Sequence, residues 1–125
     1  EEIISDLSAK ALKIDMNLHD KMCAEISHLP AILSFLLFYS TSNEAKQIAS
    51  SGFRDTTRLA MTNSDLVFSM FKNNEKNILN SFNQLIQNLD YLKNLSDNEK
   101  INLFNELAVQ RAKMYDNNGK NIFEI

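Results

Sequence analysis

The stretch NLHDKMCAEISHLPAILSFL, Asn17–Leu36, decides how this chain reads. Leu18, Met22, Ile26, Leu29, Leu33 and Leu36 recur at steps of four, four, three, four and three residues, one stripe of an α-helix. Past Pro30 the character changes. Ala31, Ile32, Leu33, Phe35, Leu36, Leu37, Phe38 and Tyr39 are apolar on every side. A helix apolar all round is normally covered all round, and a 125-residue chain offers few neighbours to cover it. A partner subunit or a further domain would supply the rest. Pro30 lacks a backbone donor, so a kink or a new helix start is expected there.

Working outward, Thr41–Ser51 is polar, with a short helix expected over Glu44–Ala49. Ser50-Ser51-Gly52 reads as a turn and Phe53–Met61 as a short helix. Thr62-Asn63-Ser64 offers caps for a helix from Asp65 to about Lys72. Asn73 or Asn74 can cap a long helix to Leu95, whose stripe Ile78, Phe82, Leu85, Leu89, Leu92 is a heptad-like seam. Ser96-Asp97-Asn98-Glu99 is a capping box. It opens a last helix with Ile101, Phe104, Leu107, Ala108, Arg111 and Met114 on one side, stopped by Asn117-Asn118-Gly119. Upstream, Ala9–Ile14 alternates small or apolar with polar residues and fits either a short strand or a helical continuation. The expected fold is all-α and multi-helix, with a boundary near Ile14–Asn17.

Composition narrows the function. The chain has 125 residues and 14.3 kDa, the size of one domain, which should bury about two-thirds of its unfolded surface in a core. Its two glycines, Gly52 and Gly119, supply neither a dinucleotide fingerprint nor a P-loop. One cysteine excludes an internal disulfide. The net charge of −3 gives no basic excess for nucleic acid or an anionic membrane. The longest apolar stretch, Leu29–Tyr39, falls short of the ~20 residues of a membrane span. No signal-peptide pattern opens the chain. A cytoplasmic protein without a membrane or nucleic-acid partner is expected. Sixteen asparagines lower helix propensity slightly without breaking the apolar pattern.

Candidate chemistry is sparse. His19, beside Asp20, reads as exposed. His28, just before Pro30, is either a core or surface histidine or one aimed into a cleft by the kink. Cys23 has no evident partner and reads as a buried, inert thiol. Ser5, Ser27 and Ser34 have no triad-like context. No His, Cys and carboxylate set has metal-ligand spacing, so no metal site is expected. Ser51-Gly52-Phe53-Arg54-Asp55-Thr56-Thr57-Arg58 is denser. Two arginines one helical turn apart fit a doubly anionic ligand, since guanidinium meets carboxylate through two parallel hydrogen bonds. The same pattern also fits solvated arginines, with Asp55 neutralising the first turn.

Read together, two segments carry a resemblance. His19-Asp20-Lys21-Met22-Cys23-Ala24-Glu25-Ile26-Ser27-His28-Leu29-Pro30 resembles the HDxxxAxxSHLPH motif of the prephenate dehydrogenase family. Ser51–Ala60 resembles that family's GGF(R/K)DxTRIA motif, and Asn63–Phe68 its SDPxLW stretch, with Phe68 where Trp is common. Order and separation fit as well, and the likeness runs roughly from Leu7 to Leu95.

The resemblance implies the C-terminal helical dimerisation and substrate-binding domain, residues 16–125. Residues 1–15 would then be a remnant of a preceding nucleotide-binding domain or linker, with Ala9–Ile14 a residual strand. It further implies oxidative decarboxylation of prephenate to 4-hydroxyphenylpyruvate in tyrosine biosynthesis. NAD or NADP would be bound by the missing domain, which also holds the general-base histidine, so this fragment alone should be inactive. A homodimer is implied. Arg58 matches the arginine that binds a substrate carboxylate, and His28 the first histidine of SHLPH, which lines the substrate site. Gly52, Arg54, Asp55 and Thr57 fall in the loop that shapes the cleft. The second histidine of SHLPH is Ala31 here, which opens the choice between prephenate and arogenate. From another class, a non-catalytic dimeric helical module would explain the seam but not the Arg54, Asp55, Arg58 cluster.

Overall fold

A computed structural model describes residues 12–115 together with Gly119 and Ile122. The chain divides into two compact units, Glu1–Gln84 and Leu85–Ile125. The first contains α1 (Met16–Cys23), a π turn (Ala24–His28), α2 (Leu29–Ser40), α3 (Asn43–Gln47), α4 (Ser51–Thr56), a 3-10 turn (Arg58–Met61) and the start of α5 (Ser64–Asn94). The second contains the end of α5 and all of α6 (Asp97–Met114). No β-strand occurs among the described residues, so the architecture is all-α. Of the stretch Ala9–Ile14, only Leu12–Ile14 is described, and it has no regular structure.

Asp15 starts α1 by accepting on Oδ1 from the N–H groups of Asn17 and Leu18, at 2.9 and 3.2 Å. Pro30 stands at the start of a new α segment, one of the two outcomes expected, without a gap in the helical run. The ladder slips in the turn before it: Leu29 N–H reaches back to the Ala24 carbonyl, five residues away, which defines a π turn. Pro30 then sits in the first turn of α2, where a missing N–H costs little. Met16–Ser40 is thus one helical run of 25 residues. Splitting it at Pro30 made it look too short to span a bilayer; the continuous run is long and apolar enough by length and composition alone.

Three further expectations change. Gly52 is not in a turn: Ser51 and Gly52 open α4, and a Cβ at Gly52 would meet nothing within 4 Å. Phe53–Met61 is not one helix, because Thr57 leaves α4 and the chain tightens into the 3-10 turn. The two helices read on either side of Asn73 and Asn74 are one long element, kinked at Asn74 with φ −132° and ψ 25°. Asn63 caps it, accepting from Asp65 and Leu66 N–H. The capping box at Ser96 and Glu99 forms with both reciprocal bonds. Its Ser96 hydrogen bonds hold the Glu99 carboxyl below the usual glutamate range. The α6 helix ends at Met114, short of the expected asparagine stop, and Gly119 takes φ 78°.

Burial is the main departure. Among the described residues only Ala24, Ala31 and Ile78 form a buried apolar core, joined by Ser34 and Thr57. The expected core is therefore small. On α2, Leu33, Leu36, Leu37, Phe38 and Tyr39 all stay exposed, Tyr39 at 86%. The α5 seam begins at fully buried Ile78, but Leu85 and Leu89 are exposed. On α6, Ile101, Phe104 and Leu107 are exposed too. Apolar periodicity this regular, left in water, is the pattern of a surface meant for another surface.

Candidate functional site

The α2 helix carries one polar residue inside its apolar run, Ser34, and this serine organises the site. Its hydroxyl donates to the Thr56 carbonyl at 3.1 Å and accepts from Ala60 N–H at 3.1 Å. These two backbone groups bracket Arg58, so the turn that carries the arginine is clamped on both sides to the core helix. Thr57 Oγ1 donates to the Phe53 carbonyl at 2.7 Å, and Thr56 Oγ1 to the Gly52 carbonyl at 2.8 Å. Both are bonds from a hydroxyl back to the carbonyl four residues earlier in the same short helix, and the Phe53 carbonyl also accepts from Thr57 N–H at 2.9 Å.

Next to this clamp lies a pocket of about 520 Å³ lined by Phe38, Phe53, Arg54, Asp55, Thr57, Arg58, Ala60 and Met61. The Phe38 and Phe53 rings stack, with centroids 6.0 Å apart and planes 27° off parallel. Lys46 Nζ lies 4.3 Å from the Phe38 ring centroid, within cation–π range. The pocket therefore combines an aromatic wall with cationic groups at its edge.

Its two arginines differ. Arg54 Nε donates to Asp55 Oδ1 at 2.9 Å, and both side chains are largely exposed. Arg54 is thus solvated and paired with its neighbour, so Asp55 meets an arginine where the sequence reading had it neutralise the first turn. Arg58 is exposed and has no carboxylate partner among the described residues. The two do not share one helix face, since α4 ends between them, yet both line the pocket.

His28 and Gly52 do not line this pocket. Partly buried, His28 has Nδ1 3.2 Å from Asn74 Nδ2, at the α5 kink. His19 is exposed, with Nδ1 3.3 Å from Asp20 Oδ1. Cys23 is neither buried nor without a neighbour: Sγ lies 3.4 Å from His19 Nε2. One turn of helix brings them together, an i, i+4 pairing that the sequence reading overlooked. No three His, Cys, Asp or Glu residues among those described converge as metal ligands.

Sequence reasoning missed Ser34, Asn74 and the Phe38–Phe53 wall. Ser34 had one signal, a lone hydroxyl in an all-apolar run, since a buried polar group needs a partner. Asn74 was read as a cap, which found the break in the helix but not the side chain's destination.

Comparison with known proteins decides the lineage. The model of the family described as "Prephenate dehydrogenase, dimerization domain" matches residues 15–110. The chain belongs to this family. A prephenate dehydrogenase of Lactococcus lactis is 32% identical over 95 residues, which are 71% of this chain and 27% of that relative. Arogenate dehydrogenase of Synechocystis superposes with a TM-score of 0.75 at 31% identity, over 90% of this chain and 45% of that one. A prephenate dehydrogenase from A. aeolicus, solved with hydroxyphenyl propionate and NAD+, gives 0.76 at 22% identity, over 89% and 42%, and supports the fold alone. The chain thus spans under a third of the curated relatives it matches and under half of these two structures. The family match covers the π turn, the Ser34 clamp and the whole pocket.

Proposed function

We propose that this chain is the dimerisation and substrate-wall domain of a cytoplasmic prephenate dehydrogenase, with Arg58 binding a substrate carboxylate. One observation carries the reading: Arg58 is a guanidinium with no carboxylate partner among the described residues, on a clamped turn, at a pocket walled by two aromatic rings. A ring-bearing carboxylate fits both features. The rings offer apolar surface to its six-membered ring, and Arg58 offers two parallel hydrogen bonds to its carboxylate. Arg54 and Asp55 shape the rim as a neutral pair. Thr57, buried and bonded to Phe53, holds the turn and presents no free hydroxyl.

A nicotinamide nucleotide does not fit the residues described. Gly52 lies within α4, and the sequence holds one other glycine, Gly119, where a glycine-rich phosphate-cradling turn needs several close together. NAD or NADP belongs to another part of the enzyme, and this chain's role is binding and orientation. Ala31 is 5% exposed and offers no polar atom to a ligand. Discrimination between prephenate and arogenate therefore falls to groups other than this position. The exposed apolar residues of α2 supply the homodimer interface.

A non-catalytic helical module accounts for the apolar surface equally well, but gives Arg58 nothing to do. The test is Arg58→Ala in the full-length enzyme. Loss of a bidentate carboxylate contact should raise KM for prephenate by roughly ten- to a hundredfold, as a charged hydrogen bond is worth about 1.5–3 kcal/mol. An unchanged KM sinks the assignment. Arogenate assayed beside prephenate settles the substrate.

A further inference from the structure

Asn74 departs from helical geometry, and its side chain reaches two other elements. Its Nδ2 lies 2.7 Å from the Asp20 carbonyl oxygen in α1 and 3.2 Å from His28 Nδ1 in the π turn. Its Oδ1 accepts from Asn77 Nδ2 at 2.8 Å. These contacts fix which way the amide is turned. A peptide carbonyl only accepts, so the group facing Asp20 is the NH2. With one N–H given to Asp20, the other faces His28 Nδ1. A ring nitrogen that faces a donor must carry a lone pair. Nδ1 of His28 is therefore unprotonated and the ring proton sits on Nε2. His19 has the opposite arrangement, because its Nδ1 faces the Asp20 carboxylate at 3.3 Å and must carry the proton to bond with it.

We propose that Asn74 is a positioning residue that holds His28 in its Nε2–H tautomer, so that His28 offers a neutral donor to an oxygen of an anionic substrate. The second half rests on the family resemblance that assigns His28 to the substrate site, outside the lining of the Arg58 pocket; the first half stands on geometry alone. The kink gives the amide its purpose. Three elements meet at one side chain whose donors and acceptor are all engaged, so the imidazole is oriented by a group with no freedom to turn.

The tautomer is measurable in the full 125-residue chain with 15N-labelled histidine, at a pH above the usual imidazole range. His28 should show a pyrrole-type Nε2 and a pyridine-type Nδ1, and His19 the reverse. Asn74→Asp replaces the donor with an acceptor and should switch His28 to Nδ1–H while the His19 pattern persists as a sign of intact folding. If that variant does not fold, Asn74→Ala serves instead and should raise the Nδ1–H population of His28. A pyrrole-type Nδ1 at His28 in the unmodified chain overturns the proposal, as does a folded variant whose His28 spectrum is unchanged. In the full-length enzyme, Asn74→Asp should raise KM several-fold with a smaller change in kcat. A switched tautomer with unchanged KM removes His28 from the substrate site and leaves the role of Asn74 standing.

Discussion

Ser34→Ala tests how the site is built. The hydroxyl makes two bonds, but they are not equally costly to lose. Ala60 N–H also reaches the Thr57 carbonyl at 3.0 Å, so it keeps a partner in the variant. The Thr56 carbonyl loses the donor that Ser34 provides, in a part-buried setting. Losing one such bond, with little cavity left by so small a deletion, costs about 1–2 kcal/mol. For a domain of this size each kcal/mol moves Tm by roughly 3–5 °C, so a fall of about 3–10 °C is expected. Function should suffer as well, because Thr56 and Ala60 hold the turn bearing Arg58. In the full-length enzyme KM should rise, and the effect should shrink in an Arg58→Ala background, since the serine acts through the arginine. Thermal unfolding and steady-state kinetics on the four proteins of this cycle read both effects. A Tm change under about 1 °C, or additive KM effects, refutes the clamp.

Two other outcomes follow from the surface and the capping box. The chain should sediment as a dimer at micromolar concentration, and Leu36→Glu should weaken association roughly a hundredfold by burying an unpaired carboxylate; a monomeric unmodified chain contradicts the interface reading. Glu99 titrates below its ordinary value of 4.5 in the folded state, so its stabilising contribution is full above that value and is lost as pH falls through the lower, folded one. Glu99→Gln should therefore be less stable than the unmodified chain near neutrality and converge with it in acid. Thermal unfolding across a pH series checks this, and a gap constant into the acid range excludes the assigned role.

Much of the fold was legible because its signals are local. The four- and three-residue steps of Leu18 through Leu36 place a stripe on a helix whatever surrounds it. The capping box needs only Ser96 and Glu99, three residues apart. The all-apolar run after Pro30 announced a surface needing a partner, and its exposed leucines and Tyr39 agree. Pro30 marked the start of a new segment, but its missing donor does not say that the ladder slips by one residue in the turn before it. Gly52 misled because glycine marks turns by frequency, while here it merely opens a helix. Thr57 ends α4 for reasons of tertiary anchoring, which no propensity scale contains.

The sequence by itself determined the all-α class and the apolar stripes of its helices, and offered His28, Gly52, Arg54, Asp55, Thr57 and Arg58 as candidate site residues. Only the tertiary structure decided what each of them does. Arg54 pairs with its neighbour while Arg58 has no carboxylate partner among the described residues, and His28 meets Asn74 outside the pocket lining. The physical reason is sequence distance. Ser34 reaches Thr56 across 22 residues, and Asn74 reaches His28 across 46. Hydrogen bonds are satisfied within about 3 Å wherever a partner sits along the chain. Periodicity and caps are decided within a turn or two; the partner of a buried hydroxyl or amide is decided by which helices pack together.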